Sequence, residues 1–85
     1  MRILFELHAN GKFPLGKNKD PYIEIELNFP CRVNKGDIFS EKIFIVDDIS
    51  DEVKEWIIDF YFIAESIGFE KDSKGIYQYA ICCGY

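Results

Sequence analysis

SDEVKEWIIDFYFIAESIG, residues Ser50 to Gly68, is the one segment whose apolar residues recur at helical spacing over several turns. On a wheel of about 100° per residue, Val53, Ile57, Phe60, Ala64 and Ile67 fall in one arc, widened by Trp56 and Ile63 and bordered by Tyr61. Ser50 suits an N-cap, because its hydroxyl can accept from a first-turn amide, and Asp51 and Glu52 would follow at the positive end of the dipole. Gly68 would stop the helix by adopting a left-handed conformation, with Phe69 folding back on Ile63 or Ala64. The spacing therefore predicts one long helix over about 50–67.

The other side of that helix would carry Lys54, Glu55, Asp59, Glu65 and Ser66, with Ile58 and Phe62 set among them. Residues four apart on a helix are neighbours, so Ile58 and Phe62 would touch and form an apolar spot ringed by carboxylates. Glu55, Ile58, Asp59 and Phe62 are the residues the sequence offers for binding a partner.

Outward from this stretch, alternation predicts strands. In Arg2 to His8, Ile3, Phe5 and Leu7 oppose Arg2, Glu6 and His8, with Leu4 as the exception. From Tyr22 to Val33, Ile23, Ile25, Leu27, Phe29, Cys31 and Val33 oppose Glu24, Glu26, Asn28 and Arg32, as in a half-buried antiparallel strand. Pro30 cannot donate to a ladder and marks a bend, bulge or edge. Asn34-Lys35-Gly36-Asp37 reads as a tight turn. Lys42 to Val46, apolar on both faces, reads as a central strand reached after a bend at Ser40-Glu41.

Asp72-Ser73-Lys74-Gly75 reads as a reverse turn closing a hairpin with Phe69 to Lys71. In the last strand, Ile76 to Cys83, Tyr77, Tyr79, Ile81 and Cys83 share one face and Ile76, Ala80 and Cys82 the other, which Gln78 interrupts. The expected fold is a single α+β domain over residues 1–85: the long helix on a curved, mostly antiparallel sheet of four or five strands. A small closed barrel is a close variant.

An 85-residue chain can bury a core without metals or disulfides, and 16% aromatic residues supply bulk for it. The net charge is −5, and residues 47–70 hold eight acidic residues against Lys54 alone, a local balance of −7 that leaves +2 elsewhere. Such a face repels phosphate backbones, which argues against nucleic acid as a partner. Asn10-Gly11 signals a turn, and the segment on to Pro21, with Lys12, Lys17 and Lys19, reads as a solvated loop. Its isolated glycines and missing lysine-serine pair do not make a phosphate grip.

No stretch approaches the ~20 apolar residues of a membrane span, and Ile3 to Leu7 is too short for a signal peptide. The expectation is a cytoplasmic protein with reduced, packed thiols at Cys31, Cys82 and Cys83. Neighbouring cysteines on a strand point to opposite faces, so Cys82 and Cys83 should not share a ligand or disulfide. His8 is the only histidine, and nothing local pairs it with a thiol. The carboxylates run as Asp47-Asp48 and Asp51-Glu52, without the spacing of a calcium loop.

No catalytic set, cofactor motif or metal motif emerges. The leading expectation is a non-enzymatic protein-interaction module that self-associates or docks a partner through the outer helix face. The alternative is an acidic inhibitor or regulator of a basic-cleft enzyme or nucleic-acid machine, acting through Asp51, Glu55 and Asp59. A metal or thiol site from His8, Cys31 and Cys82 comes third. Tyr77 and Tyr79 are expected to pack in the core; if exposed, they would become a platform for a peptide or a base.

Overall fold

The computed structural model describes residues 1–8, 22–47 and 49–85. The turn at Asn10-Gly11, the lysine-bearing loop through Pro21, and Asp48 lie outside the described residues.

The elements are β1 (Arg2–His8), β2 (Ile23–Asn28), β3 (Ile38–Ser40), a 3-10 turn (Glu41–Phe44), α1 (Asp51–Ile57), β4 (Tyr61–Asp72) and β5 (Gly75–Gly84). The five strands form one half-barrel sheet in the order β2-β1-β5-β4-β3. Its strand pairs are antiparallel except for β1 and β5, which run parallel.

The long helix does not form. Ser50 does cap a helix, its Oγ accepting from Val53 N at 3.3 Å, with Asp51 and Glu52 in the first turn. That helix is seven residues long and ends at Ile57. Asp59 then takes a left-handed conformation, φ 73°, and Phe60 N bonds Ile57 O, which reverses the chain into β4. The cause lies in Phe60-Tyr61-Phe62-Ile63, four aromatic or β-branched residues that lose side-chain freedom in a helix and fit a pleated sheet. As a strand they alternate: Phe60 and Phe62 turn to the core and Tyr61 and Ile63 away from it.

A β-bulge accounts for the misleading helical spacing. Phe62 and Ala64 pair with Gly84 and Cys82, but the register shifts between Ala64 and Ser66, so that Ile67 pairs with Ala80. The extra residue, Glu65, changes the parity of the alternation. Phe60, Ala64 and Ile67 thus share one face of a bulged strand at the spacing they would share on a helix. Beyond the bulge the β4–β5 hairpin continues to Asp72 and Gly75, far longer than the sequence suggested. Gly75 turns the chain at φ 113°, and Asp72 Oδ1 accepts from Lys74 N at 2.9 Å.

Two further expectations are corrected. Lys42 to Val46 is not a central strand: Glu41–Phe44 is a 3-10 turn capped by the Ser40 hydroxyl, and it delivers Phe44 to the core while Ile45 stays exposed. β2 ends at Asn28, ahead of Pro30, and the chain leaves the sheet there. Cys31 is exposed, whereas Val33 returns to the core.

The inner face of the sheet carries Ile3, Phe5, Leu7, Ile23, Ile25, Phe62, Ala64, Ala80 and Cys82, covered by Val33, Phe44, Trp56 and Ile57. Aromatic edges meet within it: Phe5 lies 5.0 Å from Phe44 and 5.3 Å from Phe29, and Phe44 lies 5.5 Å from Phe62. The interruption at Gln78 has a structural purpose. Gln78 is fully buried; its Nε2 donates to Val33 O at 2.6 Å and its Oε1 accepts from Val33 N at 2.8 Å. One side chain thereby satisfies the backbone of a segment that has left the sheet.

Candidate functional site on the outer sheet face

The helix surface proposed from sequence is not assembled. Phe62 is 0% exposed, packed in the core, while Ile58 is 53% exposed at the helix C-cap. Glu55 and Asp59 are exposed, but Asp59 lies beyond the helix end. The acidic stripe Asp51, Glu55, Asp59 is therefore cut after its first two members. What remains is a notch of about 320 Å³ formed by Ile45 and Ile58 beside Asp51, Lys54 and Glu55.

The other face of the sheet holds the larger anomaly. Both helical turns and Val33 pack on the inner face, and no described element covers the outer one. A half-covered antiparallel sheet ordinarily turns polar residues to water. Here the outer positions of β1 and β2 are mostly polar (Arg2, Glu6, His8, Glu24, Glu26 and Asn28), but Leu4 on β1, Tyr77, Tyr79, Ile81 and Cys83 on β5, and Ile63 on β4 form a half-buried apolar band along the middle of the sheet. Ile38 extends the surface at 66% exposure, and the exposed rings of Tyr61 and Tyr85 stack at 5.9 Å beside it. Tyr77 and Tyr79 therefore do not pack in the core.

Gly68, opposite Tyr79 in the β4–β5 register, makes part of this surface possible. A Cβ at Gly68 would lie 2.2 Å from the Tyr79 ring, so the tyrosine lies flat across the glycine. Ring and glycine together form a smooth wall, an arrangement in which an aromatic side chain shields a strand glycine.

Next to that wall is a concavity of about 270 Å³. Tyr77, Tyr79, Leu4 and Ile81 make its apolar sides, and Glu6, Glu24 and Glu70 bring carboxylates, with no lysine or arginine among the described lining residues. Glu70 accepts a hydrogen bond from the Tyr77 hydroxyl at 3.2 Å. Burial first, and this bond second, push the Tyr77 phenol above its ordinary value. Glu6 and Glu24 stand directly opposite each other across β1 and β2. Such like-charge pairs cost a sheet a few tenths of a kcal/mol, up to about 1 kcal/mol.

Arg2 ends the row. Its guanidinium lies 4.9 Å from the Tyr77 ring centroid and bonds Asp72 Oδ1 at 2.7 Å, with Glu26 at 4.0 Å. The hydrogen bond from Arg2 holds the Asp72 carboxyl below its ordinary value.

His8, Cys31 and Cys82 do not come together. Cys82 points to the core, Cys31 lies outside the sheet, and it is Cys83 that faces His8 across β1 and β5. His8 Nε2 is 2.8 Å from Glu6 Oε2. Burial, then the hydrogen bond to Glu65, pushes the Cys83 thiol up to about 11, and burial pushes Cys82 to about 12. Both are thiols at neutral pH and poor nucleophiles. Among the described residues, no three His, Cys, Asp or Glu side chains are grouped to hold a metal. With a disulfide reagent at pH 8, one thiol per native chain, the exposed Cys31, is expected to react quickly. Cys82 and Cys83 should react only on unfolding, and fast titration of two or three thiols would contradict this arrangement.

The tyrosine surface had a sequence signal, the apolar alternation on both faces of the last strand. Its carboxylate rim comes from β1, β2 and β4, which only the strand order brings together. No helix among the described residues is long and apolar enough to cross a membrane. No protein-family model, curated protein or solved structure matches this chain, so its function is argued from its own surfaces.

Proposed function

We propose that the protein is a non-enzymatic interaction module whose outer sheet face, which no described element covers, docks a basic, apolar-bearing segment of a partner protein. The observation that carries this reading is the apolar and aromatic band of Leu4, Tyr77, Tyr79, Ile81 and Ile63 on the outer face, flanked by the polar positions of β1 and β2. Contiguous exposed apolar surface of this kind marks interaction sites. The rim selects the partner's charge: Glu6, Glu24, Glu26, Glu65 and Glu70 surround the patch, and among the described residues there Arg2, held by Asp72, is a cation already paired. A second copy of the same face would set carboxylate against carboxylate; a segment with lysine or arginine beside its apolar residues complements it.

A short peptide of alternating leucine and arginine serves as the probe, titrated into the labelled chain by NMR. Binding is expected to shift the amides of β5 and β1, and to weaken as salt rises. Tyr79→Thr with Ile81→Thr, chosen because threonine suits a strand, is expected to weaken binding about tenfold or more. Equal affinity in this variant overturns the proposal. So does a wild-type dimer, seen by sedimentation, that the same two substitutions dissociate, since that makes the face a self-association surface.

A further inference from the structure

We infer that the concavity between Tyr79, Leu4 and the β1–β2 carboxylates receives the guanidinium of an arginine side chain on the docked partner, in preference to a lysine ammonium. This rests on the docking reading above and specifies the residue that anchors it.

Three features point to arginine. First, the concavity offers Glu6, Glu24 and Glu70, with no lysine or arginine among its described lining residues. The cross-strand pair Glu6–Glu24 sets like charges opposite each other, Glu6 also meeting His8 Nε2 at 2.8 Å. A bound cation between two carboxylates turns that repulsion into attraction, and proteins tend to break local rules where function requires it. Second, the walls are aromatic and flat. Tyr79 is laid down by the absence of a side chain at Gly68, which leaves a ring surface beside the carboxylates. A planar guanidinium stacks on such a ring while its N–H fork meets a carboxylate in two places; an ammonium is a strongly hydrated point charge that does neither as well.

Third, the chain holds its own guanidinium by the same chemistry at the end of the same row. Arg2 sits over Tyr77 with Asp72 on its edge and Glu26 nearby. It is committed there and does not line the concavity one row away. The partner's arginine would repeat this arrangement with Tyr79 as ring and Glu6 and Glu24 as acceptors.

The test compares three probe peptides on the full chain: the leucine–arginine peptide, its citrulline counterpart, which keeps the planar shape without the charge, and its lysine counterpart. The arginine form is expected to bind at least about tenfold more tightly than the citrulline form and severalfold more tightly than the lysine form. Shifts should centre on Leu4, Glu6, Tyr79 and Ile81. Glu6→Gln with Glu24→Gln should erase most of the arginine–citrulline difference. That variant relieves a repulsion and keeps an acceptor for His8, so it is expected to fold at least as well as wild type. Glu52→Gln with Glu55→Gln removes the same charge from the exposed helix and should leave the difference intact. If all three peptides bind the face equally, or if the helix pair abolishes the preference as well as the sheet pair does, the arginine pocket is overturned and the docking reading stands. If none binds, both fall.

Discussion

Phe62→Ala is expected to destabilise the fold by about 3–5 kcal/mol, the usual cost of emptying a phenylalanine site in a core. For a domain of this size that lowers the melting temperature by on the order of 15 °C or more. The ring is fully buried, meets Phe44 edge-on at 5.5 Å, and lies over Gly84 on the neighbouring strand, where a Cβ would come within 3.0 Å of it. Its surroundings are a sheet and a 3-10 turn, both held by backbone hydrogen bonds, so the cavity cannot readily collapse. Ile58→Ala is the matched control. Ile58 is largely exposed at the helix C-cap, so its truncation should change stability by no more than about 0.5 kcal/mol. On a helix over 50–67 the two residues would be one turn apart on the same outer face, and both substitutions would be mild. Thermal and denaturant unfolding of the two variants therefore discriminates the strand from the helix directly; two small effects would contradict the burial of Phe62.

The same residue shows where local reasoning reached its limit. The start of the helix was legible because capping is local: Ser50, Asp51 and Glu52 act within one turn. Its end was not, because what ends it is pairing with β5, a partner more than a dozen residues downstream. A long hairpin in which backbone groups pair throughout outweighs the few tenths of a kcal/mol per residue by which helix propensities differ. The bulge at Glu65 then hid the strand, since one inserted residue gives Phe60, Ala64 and Ile67 a spacing that satisfies both a helix and an interrupted strand. β1, most of β2 and β5 were legible because one face of each is apolar at every second residue, despite Leu4 in β1 and Gln78 in β5, which leaves one consistent register.

The candidate site was legible in a different degree. The apolar character of the outer face of β5 is written in Tyr77, Tyr79, Ile81 and Cys83, although Tyr77 and Tyr79 were expected to pack in the core. That no described element covers the outer side is a property of topology, which places the helix and the 29–37 crossing on one face only. The acidic rim was hidden for the same reason: Glu6, Glu24 and Glu70 are far apart in sequence and adjacent only through the order β2-β1-β5-β4. Charge counting drew attention instead to residues 47–70, of whose described carboxylates only Glu65 and Glu70 border the apolar patch.

Gln78→Leu is expected to cost about 2–4 kcal/mol although it makes the inner face of β5 more apolar. By burial alone the substitution should stabilise the core, and a purely hydrophobic account predicts a gain. The opposite result follows from the path of the chain after Asn28. Residues 29–37 leave the sheet and cross its inner face, so Val33 brings a backbone N–H and C=O into a buried place with no strand alongside. Gln78 presents an acceptor and a donor from one planar amide, at 2.8 and 2.6 Å, and acts as the missing strand. Leucine removes both at once, leaving two buried backbone groups without partners. Gln78→Glu separates the two bonds. An ionised carboxylate keeps the acceptor for Val33 N and sets a negative charge against Val33 O, so this variant should be at least as unstable as the leucine one at neutral pH. Burial beside a carbonyl raises the folded-state pKa of the introduced carboxyl above its unfolded value near about 4.3. Its deficit relative to wild type should therefore be smallest below that value, where the protonated acid can donate to Val33 O, and should grow as pH rises through the folded-state pKa. Denaturant unfolding of the three proteins from about pH 4 to 8 reads this out. A leucine variant as stable as wild type, or a glutamate deficit that does not narrow in acid, would show that the amide does not hold the crossing segment.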